Sequence, residues 1–376
     1  MAERIAGPAM LALVADQTGP SLWRVFWPFT ALQRAGYGAG WDFKDAAGIG
    51  LIAPAFDGYV LPRMSWRPQD RHVAEAWFAM IRRAGRFVVY DADDDIFTAA
   101  IDARTAALGW TEGKTLAELT AERYERIWAM QQCDGVTVST RRLATVVRSF
   151  TTRPVHVVPN AIDVPWFRSV LQAATRQLVP PTVGWAGGKR PDDDVREMAA
   201  AWERIAVRFP AVRFVVQGYL PPIVAAAVPA DRLTVLPWLA LERYPAGLKE
   251  VDVACCAVAD DRFNRCKSPI KAYEAALAGA AVVATPTVYG HLIEHGVTGR
   301  LAETADEWET AIAAYLASPA TRRIEARRLL RVVERRWSLA ENLWRWPHSW
   351  RLIAEDAATR RGGLTTGTSG TRNVPA

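Results

Sequence analysis

The chain has 376 residues, 50% hydrophobic and 23% charged, which excludes a disordered protein and fits two domains that each bury a core. Its longest apolar stretches, such as 275–285, fall short of the roughly 18 residues that span a bilayer, and Glu3, Arg4 and Pro8 before the first apolar run argue against a signal peptide. Net charge is +6, yet 321–376 alone holds 12 Arg against 5 acids, or +7, leaving −1 for the rest; a basic excess confined to one end argues against a general nucleic-acid binder.

Four cysteines, Cys133, Cys255, Cys256 and Cys266, show no metal-ligand spacing, which fits a reducing, cytoplasmic setting. Only 6 of the 46 basic residues are Lys, and Asn occurs 4 times. Against that bias Lys189, Lys267, Lys271, Asn160 and Asn264 all fall in stretches singled out below.

Strand-like apolar runs come first at 10–15, 58–61, 87–91, 135–139 and 155–159. A second series follows at 182–186, 213–217, 233–236, 251–258 and 281–285. Between them, i, i+3, i+4 spacing predicts helices at 116–133, 192–209, 269–278 and 305–317. Strand and helix in alternation predict parallel sheets covered on both faces, and the pattern occurs twice. The expected division is 1–163, 164–337, helical 338–357, and a disordered tail at 358–376. Two helices, 322–337 and 340–354, close the chain, with Pro347 kinking or restarting the second.

Ligands of open α/β sheets bind beyond the carboxyl ends of strands, so the residues after each strand carry the functional reading. The 87–91 strand ends in Asp91-Ala92-Asp93-Asp94-Asp95, whose adjacent carboxylates need a cation, basic partners or open solvent. Three readings stand: a divalent metal site of DxD type, a carboxylate that orients or deprotonates an acceptor hydroxyl, or a solvated helix cap. Acceptor handling by Asp93, Asp94 or Asp95 is the expectation.

The first strand of the second series leads into Gly187-Gly188-Lys189-Arg190, then Asp192-Asp193-Asp194. The glycines admit an anion to backbone N–H groups, the next helix turns its positive end there, and the cations can reach phosphate oxygens. A plain turn with a solvated basic pair is the alternative. Further on, Cys266-Lys267-Ser268-Pro269 precedes Lys271 and Glu274, with Pro269 suited to a first helical turn and Ser268 to its N-cap. Lys267, Lys271 and Glu274 then share one helical side. A lysine early in a helix opposes the macrodipole unless an anion sits there, and Glu274 can accept bonds from vicinal hydroxyls such as those of ribose. The alternative is a surface Lys–Glu pair.

Val158-Pro159-Asn160-Ala161-Ile162-Asp163, Gly187-Gly188, the 267–275 stretch, Gly279 to Thr285, and 286–299 together resemble the second half of retaining family 4-type glycosyltransferases of the GT-B fold. The resemblance covers 155–320 well and the first half weakly. It implies two Rossmann-like domains facing across a cleft and a nucleotide diphosphate sugar held by the second. It also implies a terminal helix crossing back to the first domain, where Trp337, Leu343, Trp344, Trp346, Trp350 and Ile353 supply apolar surface. By position Glu274 matches the glutamate that binds the donor ribose. Cys266 stands where the family usually has a glutamate touching the sugar, with Lys267 and Ser268 as partial substitutes. The loop 16–21 with Arg24 would face the cleft, Arg24 either reaching a ligand or lying on the surface.

The expected activity is transfer of a sugar from that donor to a hydroxyl on a protein, glycan or lipid, metal-independent and retaining, with no tightly bound cofactor. The alternatives are a non-catalytic nucleotide-sugar-binding protein and a DNA-modifying glycosyltransferase. The Arg-rich 322–336 stretch reads first as a solvated face; its second reading is peripheral membrane contact or a phosphorylated acceptor.

Overall fold

A computed structural model describes residues 7–15, 17–43, 55–109, 113–179, 181–240 and 242–366, with side chains to 361. Asp16 of the N-terminal loop and 367–376 of the expected tail lie outside them. Twelve strands form two parallel six-stranded sheets among the described residues. The first holds β1 (Met10–Val14), β2 (Ala39–Phe43), β3 (Gly58–Pro62), β4 (Phe87–Ala92), β5 (Gly135–Val138) and β6 (Val155–Val157), in the order β2-β1-β3-β4-β5-β6. The second holds β7 (Thr182–Gly187), β8 (Arg213–Gly218), β9 (Leu233–Leu236), β10 (Val253–Cys256), β11 (Ala281–Ala284) and β12 (Arg300–Leu301), in the order β12-β11-β10-β7-β8-β9. The order reverses between β1 and β3 and between β7 and β10. Those are the switch points where such sheets open a crevice.

Central strands read as unbroken apolar runs because helices cover both faces; β4 is buried along its length. This is the GT-B fold. The Val164–Ala173 helix, capped by Asp163 Oδ1 on Trp166 N at 3.0 Å, puts Phe167 and Leu171 into the second core. The final Arg345–Thr366 helix returns to the first, where Trp346, Trp350, Ile353 and Ala357 pack on residues of β1, β3 and β4.

That helix begins two residues before Pro347, a position where the missing N–H costs no helical bond. It also runs through 358–366, where a disordered tail was expected to begin. Two arginines anchor this part of the helix. Arg360 Nη2 donates to Asp134 O at 2.9 Å and Arg361 Nη2 to Arg86 O at 2.8 Å, so arginines hold what apolar periodicity does not.

The domains are also joined through aromatic side chains. Trp23, in the helical turn Leu22–Phe26, and Trp27, the first residue of the Trp27–Arg34 helix, pack into the second core; Trp27 lies 5.1 Å from Trp166 and Trp23 6.5 Å from Tyr273.

Candidate functional site

The three aspartates after β4 have separate environments. Asp93 Oδ1 accepts from Arg63 Nε at 2.5 Å, and Asp94 Oδ2 from Arg63 Nη2 at 2.6 Å. Asp95, fully buried, accepts from Thr98 N and Thr98 Oγ1 at 3.1 and 2.7 Å, holding the residue that precedes the Ala99–Ala107 helix. Its Oδ1 serves the backbone of Phe97 and Thr98, and its Oδ2 the Thr98 hydroxyl, with Arg262 Nε of the second domain 4.0 Å away.

Arg63 lies just beyond β3 and was not singled out from sequence. Its φ is +50°, the only non-glycine residue in the left-handed region among those described. That costs of order 1–3 kcal/mol and persists only where surroundings fix it; the two carboxylates and the bond from Arg63 N to Asp91 O at 2.8 Å do so. Reading one residue past the strand end would have found it.

Across the cleft, Lys267 Nζ stands 3.5 Å from Asp94 Oδ1. Burial pushes Asp94 up, yet Lys267 and Arg63 outweigh it and hold the carboxyl down to about 2. Asp93 goes the other way. Burial raises it, the neighbouring Asp94 charge adds to the rise, and Arg63 offsets only part. Two adjacent carboxylates thus differ in basicity, the arrangement that separates a proton acceptor from a standing charge.

On the second sheet the candidates gather at the β7/β10 switch point. Gly187 closes β7; a Cβ there would lie 2.7 Å from Arg190 Nη2 and from the Trp185 ring. Gly218, at φ +98°, would place a Cβ 2.5 Å from Gly187 O. Both glycines are required by close approach. Gly188 lies beside the exposed Trp238 ring. Arg190 folds back over Trp185 at 4.8 Å and donates to Ala257 O at 3.3 Å. Burial lowers its affinity for a proton, with Asp194 opposing, and no carboxylate among the described residues pairs with it. Lys189 takes another direction: it is exposed, with Nζ against Gly109 of the first domain.

The helix carrying the last candidates is Ile270–Ala278. Ser268 does not cap it, a correction to expectation: Pro269 is the N-cap residue, and Ser268 Oγ is buried with no partner. Lys271 Nζ lies 2.5 Å from Tyr244 Oη and 3.1 Å from Glu274 Oε2, and Tyr244 Oη donates to the same Oε2 at 2.9 Å. The pair expected as a surface alternative therefore forms, but Glu274 is 4% exposed. With Gly184, Trp185 and Cys256, Lys271 and Glu274 line one pocket. Burial pushes the Cys256 thiol well up; the nearby charges of Lys271 and Arg190 oppose the rise and that of Glu274 adds to it.

Cys266 is turned away from this pocket. Its side chain joins the core of the first domain, its carbonyl accepts from Thr140 Oγ1 at 2.9 Å, and burial pushes the thiol up to about 12. Arg24 is likewise internal: Nε and Nη2 grip Asp91 at 2.8 and 2.7 Å, and Nη1 donates to Val158 O and Asn160 Oδ1. Neither side of the ligand-or-surface expectation for Arg24 holds. Asn264 is structural too, donating to Asp194 Oδ1 at 2.8 Å, while Asp194 Oδ2 pairs with Arg104 of the first domain at 2.5 Å. Among the described residues no group of three His, Cys, Asp or Glu is placed to hold a metal ion.

Residues 180–318 match the family model described as glycosyl transferases group 1. No curated protein matches the sequence. Among solved structures, sucrose-phosphate synthase from Thermosynechococcus elongatus aligns with TM-score 0.58 and 13% identity over 96% of this chain and 99% of its own. HepE from Anabaena, solved with UDP-glucose, gives 0.58 and 14% over 94% and 100%. An S. aureus TarM variant, solved with fondaparinux, α-GlcNAc-glycerol and UDP, gives 0.55 and 12% over 78% of this chain and 55% of TarM. The chain thus spans about half of TarM.

Proposed function

We propose that this glycosyltransferase, whose residues 180–318 form a group 1 domain, holds its nucleotide diphosphate sugar at the β7/β10 switch point and receives a hydroxyl acceptor at Asp93. The observation that carries the reading is the half-buried Arg190 guanidinium, without a carboxylate partner among the described residues, near the Lys271–Glu274 pair that lines the pocket. A cation withdrawn partly from water is better stabilised when it meets an anion, and the donor diphosphate is that anion.

Glu274 binds the ribose. Both of its protein bonds go to Oε2, so Oε1 is left for sugar hydroxyls. Arg190, Lys267 and the Gly187-Gly188 backbone stabilise the diphosphate as it departs with the electron pair of its bond to the anomeric carbon, and Lys189 at the rim adds longer-range charge. Electrostatic stabilisation of this kind is usually the largest single contribution to catalysis. Ser268 Oγ, buried and unpartnered, is available to a donor oxygen.

The acceptor oxygen forms the new bond to the anomeric carbon, and its proton passes to Asp93, the more basic of the pair. Asp94 stays ionised and orients Lys267. Metal independence is supported by Arg63 and Lys267, which already neutralise both carboxylates. Retention of anomeric configuration rests on the family resemblance alone.

A thermal-shift panel of nucleoside diphosphates and nucleotide sugars, starting from the UDP forms, tests the donor site. A ligand at 100 times its Kd stabilises by about 2.7 kcal/mol. No response to any diphosphate would defeat the reading; binding without hydrolysis or transfer would leave a binding protein.

A further inference from the structure

We propose that the outer face of the Pro319–Arg336 helix docks this enzyme on an anionic lipid bilayer. The helix has 18 residues, with seven Arg and two Glu. Its inner side is occupied: Leu329 and Val333 are fully buried, Glu325 is bonded to Tyr315 Oη and Arg300, and Arg322 faces Asp252 at 3.6 Å. Glu334, the other acid, pairs with Arg168.

Arg323, Arg327, Arg331 and Arg335 recur every four residues and so form one line along the helix, about 18 Å from first to last at 1.5 Å per residue. Arg328 and Ile324 flank that line. All six are exposed, and among the described residues none of the five arginines makes an ion pair or hydrogen bond. Like charges at i, i+4 repel and weaken a helix, a cost this face carries with no internal compensation. An external anionic surface supplies it.

The face also carries an apolar residue, Ile324, 42% exposed. A basic stripe with apolar side chains suits the boundary between lipid headgroups and acyl chains. The rest of the chain, at −1 before residue 321, adds no attraction for a polyanion, so a wrapped nucleic acid is disfavoured. Docking here leaves the donor pocket free: the helix packs on Ile270–Ala278 through its inner side and contributes no residue to the pocket.

The test is co-sedimentation of the full chain with phosphatidylcholine vesicles with and without phosphatidylglycerol. Binding is expected only with phosphatidylglycerol and should be reversed by salt. Arg327→Glu/Arg331→Glu should weaken it on the order of a hundredfold, with nucleoside diphosphate affinity unchanged as evidence of an intact fold. Ile324→Ser should weaken it more modestly, without any change of charge. The proposal is overturned if the wild type ignores anionic vesicles, if the double variant binds them equally well, or if duplex DNA displaces the vesicles from the wild type. Loss of donor binding by pocket variants with vesicle binding retained would separate failure of the functional reading from failure of this one.

Discussion

Asp94 Oδ1 and Lys267 Nζ stand 3.5 Å apart, one at the end of β4 in the first domain and the other before the Ile270–Ala278 helix in the second. The ammonium proposed for the donor thus rests on a carboxylate of the opposite domain. Lys267→Ala should weaken nucleoside diphosphate binding at least tenfold and nucleoside binding little, since charge-assisted bonds contribute about 1.5–3 kcal/mol. Calorimetry with both ligands measures the difference, and equal losses would remove the phosphate contact.

The same pair predicts an acid response. Asp94 is held down to about 2 from an ordinary 3.8. A carboxyl depressed in the folded state contributes fully above its unfolded value and less as pH falls through the folded one. Asp94→Asn should therefore lose stability relative to wild type above about pH 4 and converge with it near pH 2. Urea midpoints across that range test this; a constant gap between the two proteins would contradict it.

Arg24 and Asp91, 2% and 1% exposed, form a buried ion pair with Asn160 and Val158 as further acceptors for Arg24. Removing one partner of such a pair typically costs about 3–5 kcal/mol. Arg24→Ala should show that loss in denaturant unfolding, while donor affinity in the remaining folded protein stays near wild type. The reverse, full stability with lost affinity, would return Arg24 to the ligand.

These residues also mark how far sequence carries. The central strands were legible because strands buried on both faces are unbroken apolar runs. Edge strand β2 was not, since its Ala-Gly-Trp-Asp-Phe is buried at one end and exposed at the other. Reading the residues after strands selected Asp93, Asp94, Arg190, Lys271 and Glu274, which the fold places at strand ends or on the following helix. It missed Arg63, two residues past a strand taken to end at 61, and Tyr244, whose hydroxyl reaches Glu274 from another helix. Pairings such as Asp94 with Lys267 or Arg104 with Asp194 arise only when the two domains face each other, and no local pattern encodes that geometry. Cys266 illustrates the same limit: the sequence position invites a cleft role, and the side chain lies in the opposite domain's core.

For Glu274, the expected effect is on the donor alone. Its Oε1 is the oxygen proposed for ribose, and bonds to a charged acceptor contribute about 1.5–3 kcal/mol. Glu274→Ala should weaken nucleoside and nucleoside diphosphate binding alike by at least about tenfold, in contrast with Lys267→Ala. Tyr244→Phe removes only one of the two Oε2 partners and should cost less. Unchanged affinity of Glu274→Ala in calorimetry would end the ribose assignment.

Asp93 decides between the metal and acceptor readings of the acidic strand end. Its carboxylate is the more basic of the pair because burial and the Asp94 charge raise it, and Arg63 holds it at 2.5 Å. If it accepts the acceptor proton, Asp93→Asn should lower turnover by about 10²–10⁴ with donor affinity nearly unchanged, because the donor is held by the other domain. Asp95→Asn should act mainly through stability, since fully buried Asp95 bonds to Phe97 N and to Thr98. Arg63 and Lys267 already neutralise Asp93 and Asp94, so EDTA should cost little activity. A DxD metal site would behave otherwise: chelation would abolish activity, Mn²⁺ or Mg²⁺ would restore it, and Asp93→Asn would lose the donor as well. Steady-state kinetics with and without chelator, paired with donor calorimetry on the same variant, separates the two. Chelator-abolished activity together with lost donor binding would move the diphosphate onto the first domain and overturn the site proposed at the β7/β10 switch point.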